Sequence, residues 1–308
     1  MKFVREIFLV TLVLISILRL TSSNRRRNDP SRRAFYSNSE VPDELMQAVY
    51  IADVKQVDYL LTLDPEIITS RPPVLVNRVE TKYNRTSIMV CGLDPQTDNR
   101  ERVDQDCRDI GRLLFRSGAS LTHRDIHGWD ALSMGAVMGF TEFCEFLLQK
   151  GVQVDGLDEN NRTALMKATA HAHLKTIEML LRNGADLSLR DINGQTMLHH
   201  AVLLTSKNDS FIPFFQKVLS HHTLTQVDNF LDKDKRNVLM YAAIENSLPV
   251  VRLLLDFGCD PRKHDKFLLT APQMTTNTTI KQLLTDKSIE FIEREHANWV
   301  QEVELEGN

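Results

Sequence analysis

Apolar positions along this chain return with a long period as well as a short one. Within each stretch they fall three and four residues apart, as on one face of a helix. Over a longer range the same leucine recurs, since Leu132, Leu165 and Leu198 lie 33 residues apart. Each sits in a matching phrase: "HGWDALSMGA", "NNRTALMKAT" and "NGQTMLHHAV". A fourth phrase, "DKRNVLMYAA", brings Leu239 after 41 residues, so eight extra residues intervene. Leu148 and Leu181 end a second apolar stretch, again 33 apart, in "FCEFLLQKG" and "TIEMLLRNG". One helix pair cannot bury both sides of its apolar face, so such units are expected to stack and share a continuous core. The four leucines should form one buried column. Ala136, Ala168, Ala201 and Ala243 should let the first helices approach closely, while the Leu-Leu pairs fill a second layer.

The fullest phrase, "RNGADLSLRDINGQTMLHHAV", carries Gly184-Ala185-Asp186 and then Gly194, Thr196, Leu198, His199 and Ala201. In residue type and period together it resembles the ankyrin repeat, G-x-T-P-L-H-x-A-A followed by a helix ending L-L-x-x-G-A-D. The resemblance covers residues 42–287 and is firmest over 125–191. It implies an all-α solenoid of about six to seven helix-turn-helix units with short hairpin loops. The second repeat departs from the pattern by an insertion near 92–106, the preceding hairpin is swollen over 64–83, and the fifth repeat enlarges the turn between its helices. The seventh repeat is degenerate. By the resemblance, His199 and His173 are structural, the first bonding backbone between repeats and the second opening a second helix. After Asp286, Ile289, Ile292, His296, Trp299, Val300 and Val303 share one helical stripe, opposite acidic Glu290, Glu293, Glu302 and Glu304. A capping helix is expected over 288–304, with Trp299 docked on the last repeat.

The repeat places a tight hairpin turn four residues before the column leucine, where positive φ is needed. Gly128 and Gly194 hold that place, and Asn84 and Asn161 hold it in two other repeats. A threonine two residues on starts the helix. The glycosylation sequons at Asn84 and Asn161 are therefore explained by turn chemistry. Those at Asn208 and Asn277 are not, and both are expected in exposed loops open to a glycan.

The first 23 residues stand apart. Basic Lys2 and Arg5 precede a twelve-residue apolar run, Ile7 to Leu18, and small residues follow at Thr21-Ser22-Ser23. The run spans roughly 18 Å as helix, short of the ~30 Å hydrocarbon core, which favours a cleaved secretory signal over a signal anchor. Residues 24–41 form an Arg- and Ser-rich linker, readable also as a second address such as a plastid transit peptide. Residues 288–308 close the chain as the capping helix and acidic tail. Net charge of −4 gives no polyanion footprint, so nucleic acid is not expected as a partner. A membrane partner enters only if the N-terminal segment stays uncleaved.

No nucleophile–base motif, phosphate loop or EF-hand pattern occurs, and no Cys or carboxylate stands at metal-ligand spacing from His171 and His173. No enzyme, cofactor or metal is expected. Among the four cysteines, Cys91 takes a first-helix alanine position, and a Cys91–Cys107 disulfide would staple the insertion shut. What the resemblance implies is a non-catalytic scaffold that binds a protein partner through hairpin tips and a concave groove. The residues placed there are His127, Trp129, Arg162, His171, Gln195 and Arg236, with Trp129, Arg162 and Arg236 as anchors. Packing of Trp129 on a neighbouring hairpin is the alternative. A regulatory or chaperone-like subunit of a luminal or plastid complex is the second functional reading.

Overall fold

The computed structural model describes residues 44–63, 77, 79–80, 82–93, 98–205, 211–220 and 224–306. The signal segment, the basic linker and Asn208 lie outside these residues. The described residues all belong to one compact unit, Asp43–Asn308. Among them every regular element is helical, and β pairing is confined to isolated bridges.

The first helices of successive repeats are α1 (Glu44–Tyr50), a short 3-10 helix (Ser87–Val90), α4 (Ala131–Met138), α6 (Ala164–Ala170), α8 (Met197–Thr205), α11 (Val238–Ile244) and α13 (Ala271–Met274). Each packs on the next, and the second helices follow as an outer row. These are α2 (Val54–Leu63), α3 (Arg100–Arg116), α5 (Thr141–Gln149), α7 (Leu174–Arg182), α9 (Ile212–Leu219), α12 (Leu248–Asp256) and α14 (Thr278–Glu306). The fifth repeat adds α10 (Leu224–Asn229). Its eight extra residues are thus shared between the enlarged turn and a segment after α9, where Val227 and Phe230 join the core.

The leucine column is buried throughout, as are the four alanines beside it. Close approach follows from that alanine methyl, because a larger side chain there would wedge adjacent first helices apart. Polar side chains start these helices. Asp130, Thr163 and Asn237 each accept the N–H three residues on, at 2.8, 3.2 and 2.9 Å. Positive φ recurs at three places per repeat: the hairpin (Asn84, Gly128, Asn161, Gly194), the turn between helices (Ala52, Gly139, Ala172, Asn246) and the end of the second helix (Gly118, Gly151, Gly184, Gly258). Lys235 and Leu268 take the hairpin place in the last two repeats, where sequence offered no glycine or asparagine to mark it.

The cap differs from expectation in its extent. It is the distal part of α14, continuous with the second helix of the seventh repeat. Ile280 and Leu284 anchor α14 in the core. Trp299 does not dock, being 60% exposed. Among the described residues no helix is long and apolar enough to cross a membrane.

Candidate interaction surface

Five aspartates shape the hairpins. Asp125, Asp158, Asp191 and Asp232 stand seven residues before the column leucines, and Asp265 holds the same place in the seventh repeat. In every one, Oδ1 accepts the backbone N–H groups two and four residues on, at 2.8 to 3.0 Å. This Asx geometry folds the tip back on itself without help from a sheet. Neighbouring tips are then tied by backbone bonds, Ile126 N–H to the Tyr83 carbonyl (3.0 Å), Glu159 to His127 (3.2 Å), Ile192 to Asn160 (2.9 Å), Lys233 to Asn193 (2.8 Å) and Lys266 to Asp234 (2.8 Å). The approach is tight. A Cβ at Gly128 would lie 2.9 Å from the Glu159 nitrogen.

Each Oδ2 meets a different side chain. Arg85 Nε reaches Asp125 at 3.0 Å, Lys167 Nζ reaches Asp158 at 3.1 Å, His200 Nε2 reaches Asp191 at 3.4 Å, and the Tyr241 hydroxyl donates to Asp232 at 2.9 Å. Asp265 is approached by Arg236 Nε at 3.6 Å. Burial alone would raise the carboxyls of Asp158 and Asp191. The surrounding N–H donors and the Lys167 or His200 partner outweigh it and hold both below the usual carboxylate range. Lys167 is itself 3% exposed, and desolvation lowers its pKa against the pull of Asp158.

These partners decide what the expected binding residues can do. Trp129 is half-buried with Lys167 Nζ 4.9 Å from its ring centroid, so the indole roofs a buried cation and packs against the core. Its cation partner belongs to α6, the first helix of the next repeat. Arg162 lies 3.5 Å from Asp158, and Arg236 is held between Asp234 and Asp265 at 3.5 and 3.6 Å. Gln195 donates to the Tyr241 hydroxyl at 2.6 Å, bridging two repeats. His127 is exposed at its tip. His171 is exposed and stacked 6.1 Å from His173, whose Nε2 donates to the Val137 carbonyl of the preceding repeat at 2.8 Å. His199 is fully buried, 3.1 Å from the Thr196 N–H, and burial drives its pKa down to about 4.

What remains open on the tips is a row of apolar and charged side chains. Directly after the aspartates stand Ile126 (48% exposed), Glu159, Ile192 (40%), Lys233 and Lys266, all exposed, with Phe267 (59%) beside Lys266 on the last tip. Sequence reasoning placed His127 at the tips but did not single out the isoleucines, and it missed the aspartates that hold them. The aspartates carry a legible signal, the same 33-residue recurrence as the leucines.

Cys91 and Cys107 are both buried free thiols, and burial raises the Cys91 pKa well above the ordinary thiol value. Cys107 lies within α3, whose first turns are built from the inserted residues.

Three lines of comparison bear on this architecture. The family model described as "Ankyrin repeats (3 copies)" matches residues 103–191 and 181–265, together more than half of the 308 residues. The chain belongs to the ankyrin repeat family. Among curated relatives, the putative ankyrin repeat-containing protein of Treponema pallidum (strain Nichols) is 36% identical over 53% of this chain and 41% of its own length. The human SH3 and multiple ankyrin repeat domains protein 2 is 30% identical over 34% of this chain and 6% of its own. The Drosophila melanogaster transient receptor potential cation channel subfamily A member 1 is 23% identical over 73% of this chain and 17% of its own. The chain thus spans less than half the length of these relatives. Two solved ankyrin repeat domains share the fold. That of Bcl-3, a unique member of the IkappaB protein family, covers 81% of this chain and 100% of its own at TM-score 0.61 and 21% identity. That of human ASB11 covers 80% and 97% at TM-score 0.59 and 17% identity. Ankyrin repeat domains are in general protein–protein interaction modules.

Proposed function

We propose that this ankyrin repeat protein is a non-catalytic scaffold of the secretory pathway that grips a protein partner with its hairpin tips. The observation that carries this reading is the tip row itself. Its backbone is fixed by the five aspartates and the bonds between tips, so Ile126 and Ile192 are held exposed at little conformational cost to binding. Scattered exposed apolar residues are ordinary. A regularly spaced set on rigid turns is the kind of surface that marks an interaction site. Trp129, Arg162 and Arg236 support that surface from beneath, by packing and ion pairing, and contribute their exposed portions to it.

The secretory assignment rests on the apolar N-terminal segment, and the alternative is a regulatory or chaperone-like subunit whose partner carries the chemistry. Affinity purification of the full chain from its own cells tests the tip surface. Partners should be lost with Ile126→Asp combined with Ile192→Asp and retained with a charge-conserving change on the outer helix row, such as Lys175→Arg. Equal recovery with both variants would remove the tips from the binding site.

A further inference from the structure

The outer face of α14 carries a feature that the stack does not use. On its inner side, Ile280 and Leu284 are fully buried, Phe291 lies under the Arg262 guanidinium at 5.6 Å, and Glu295 accepts from Arg262 at 2.7 Å. The helix is therefore fixed to the stack as far as Glu295. On the other side, Ile289 and Ile292 are 51% and 56% exposed, and His296 and Trp299 follow, both exposed. The positions 289, 292, 296, 299 and 303 alternate steps of three and four. Together with Val300 they form one stripe whose steps of three and four suit pairing with another helix.

Charge selects the occupant. Residues 288–306 carry six glutamates against the single Arg294. In the heptad frame that the apolar positions define, Glu293 and Glu302 flank the seam, while Glu295, also beside it, is already paired with Arg262. A second copy of this chain would bring the same acids. Aligned antiparallel, glutamate faces glutamate. Aligned parallel, Glu295 faces Val300 and His296 faces His296, so no opposite charges meet across the seam. An anionic lipid surface is repelled for the same reason. We propose that the outer face of α14 docks an amphipathic helix of another protein, with apolar residues at alternating three- and four-residue spacing flanked by lysine or arginine. This surface is separate from the tip row, so either could fail without the other.

A labelled three-heptad peptide with leucine at a and d and lysine at e and g, titrated into the full chain, is the probe. It should bind, weaken as salt rises, and lose about tenfold or more in affinity to Ile292→Asp and to Trp299→Asp. Both side chains are exposed, so helix content by circular dichroism serves as the check that these variants still fold. Ile126→Asp should leave the peptide affinity unchanged. Failure of the lysine peptide to bind would overturn the proposal, as would equal binding of its glutamate-flanked twin or indifference to both α14 substitutions. A dimer by light scattering that Ile292→Asp dissolves would instead give the seam to a second copy.

Discussion

Burying an imidazole inside a first helix ties stability to pH. His199 has its Nδ1 against Thr196 and its ring edge-on to Tyr241 at 4.9 Å. Its pKa falls from the usual 6.5 to about 4 because burial disfavours the cation. The unfolded chain therefore takes up a proton as pH drops below 6.5, while the folded chain stays neutral at this site until about 4. Between those values the unfolded state binds more protons, so stability must fall as pH falls. The loss approaches about 3 kcal/mol at the lower end. His171 and His173, also lowered by desolvation, act in the same direction. Asp158 and Asp191, held below the ordinary carboxylate range, lose their stabilising contribution only at lower pH still. Met166 and Met240 occupy the His199 position in adjacent repeats, so His199→Met removes the titrating ring and places there a side chain those repeats already use. Urea unfolding across this range should show a clearly shallower acid slope in the variant. An unchanged slope would place the titration elsewhere.

A hairpin is the smallest element with a complete physical account here. Its closing aspartate satisfies two backbone donors with one oxygen and holds a second side chain with the other. Asp191→Ala would strand the Asn193 and Gln195 N–H groups and remove the His200 partner, a loss of about 2–4 kcal/mol. Asp191→Asn keeps the Oδ1 acceptor and should cost much less. Thermal unfolding orders the variants, and faster hydrogen exchange at Asn193 and Gln195 localises the defect. The helices were legible because leucine and alanine repeat at fixed places in a periodic stack. The hairpins were legible where glycine or asparagine marks positive φ, and silent at Lys235 and Leu268, where neighbouring structure imposes the same backbone on other residues. The contacts that Trp129, Arg162 and Arg236 make within the stack were not legible, because they are set by Lys167, Asp158 and Asp265 at the end of long side chains. Spacing alone does not say which way such a side chain turns.

The molecule as a whole poses a conflict between two uses of the same surface. Asn161 is exposed on a hairpin at φ 55°, beside the tips expected to bind a partner, and a glycan there would cover them. Its threonine, Thr163, is 1% exposed with its hydroxyl capping α6, and Thr86 of the Asn84 sequon is equally buried. Both tripeptides are thus accounted for by folding alone. Asn277 differs. It is exposed ahead of α14 and caps it through Oδ1, which accepts from Thr279 and Ile280 at 2.9 and 3.2 Å, while a sugar would be carried on Nδ2. Expressed from its own first residue in a secretory host, the chain should show a glycosidase-sensitive mobility shift. Asn208→Gln combined with Asn277→Gln should abolish that shift, whereas Asn84→Gln combined with Asn161→Gln should preserve it. A shift that survives the first pair and disappears with Asn161→Gln would mean that the tips carry sugar, and binding would have to move to another face. No shift in any form would remove the support that the sequons lend to the secretory reading and leave the ankyrin fold and its tip row untouched.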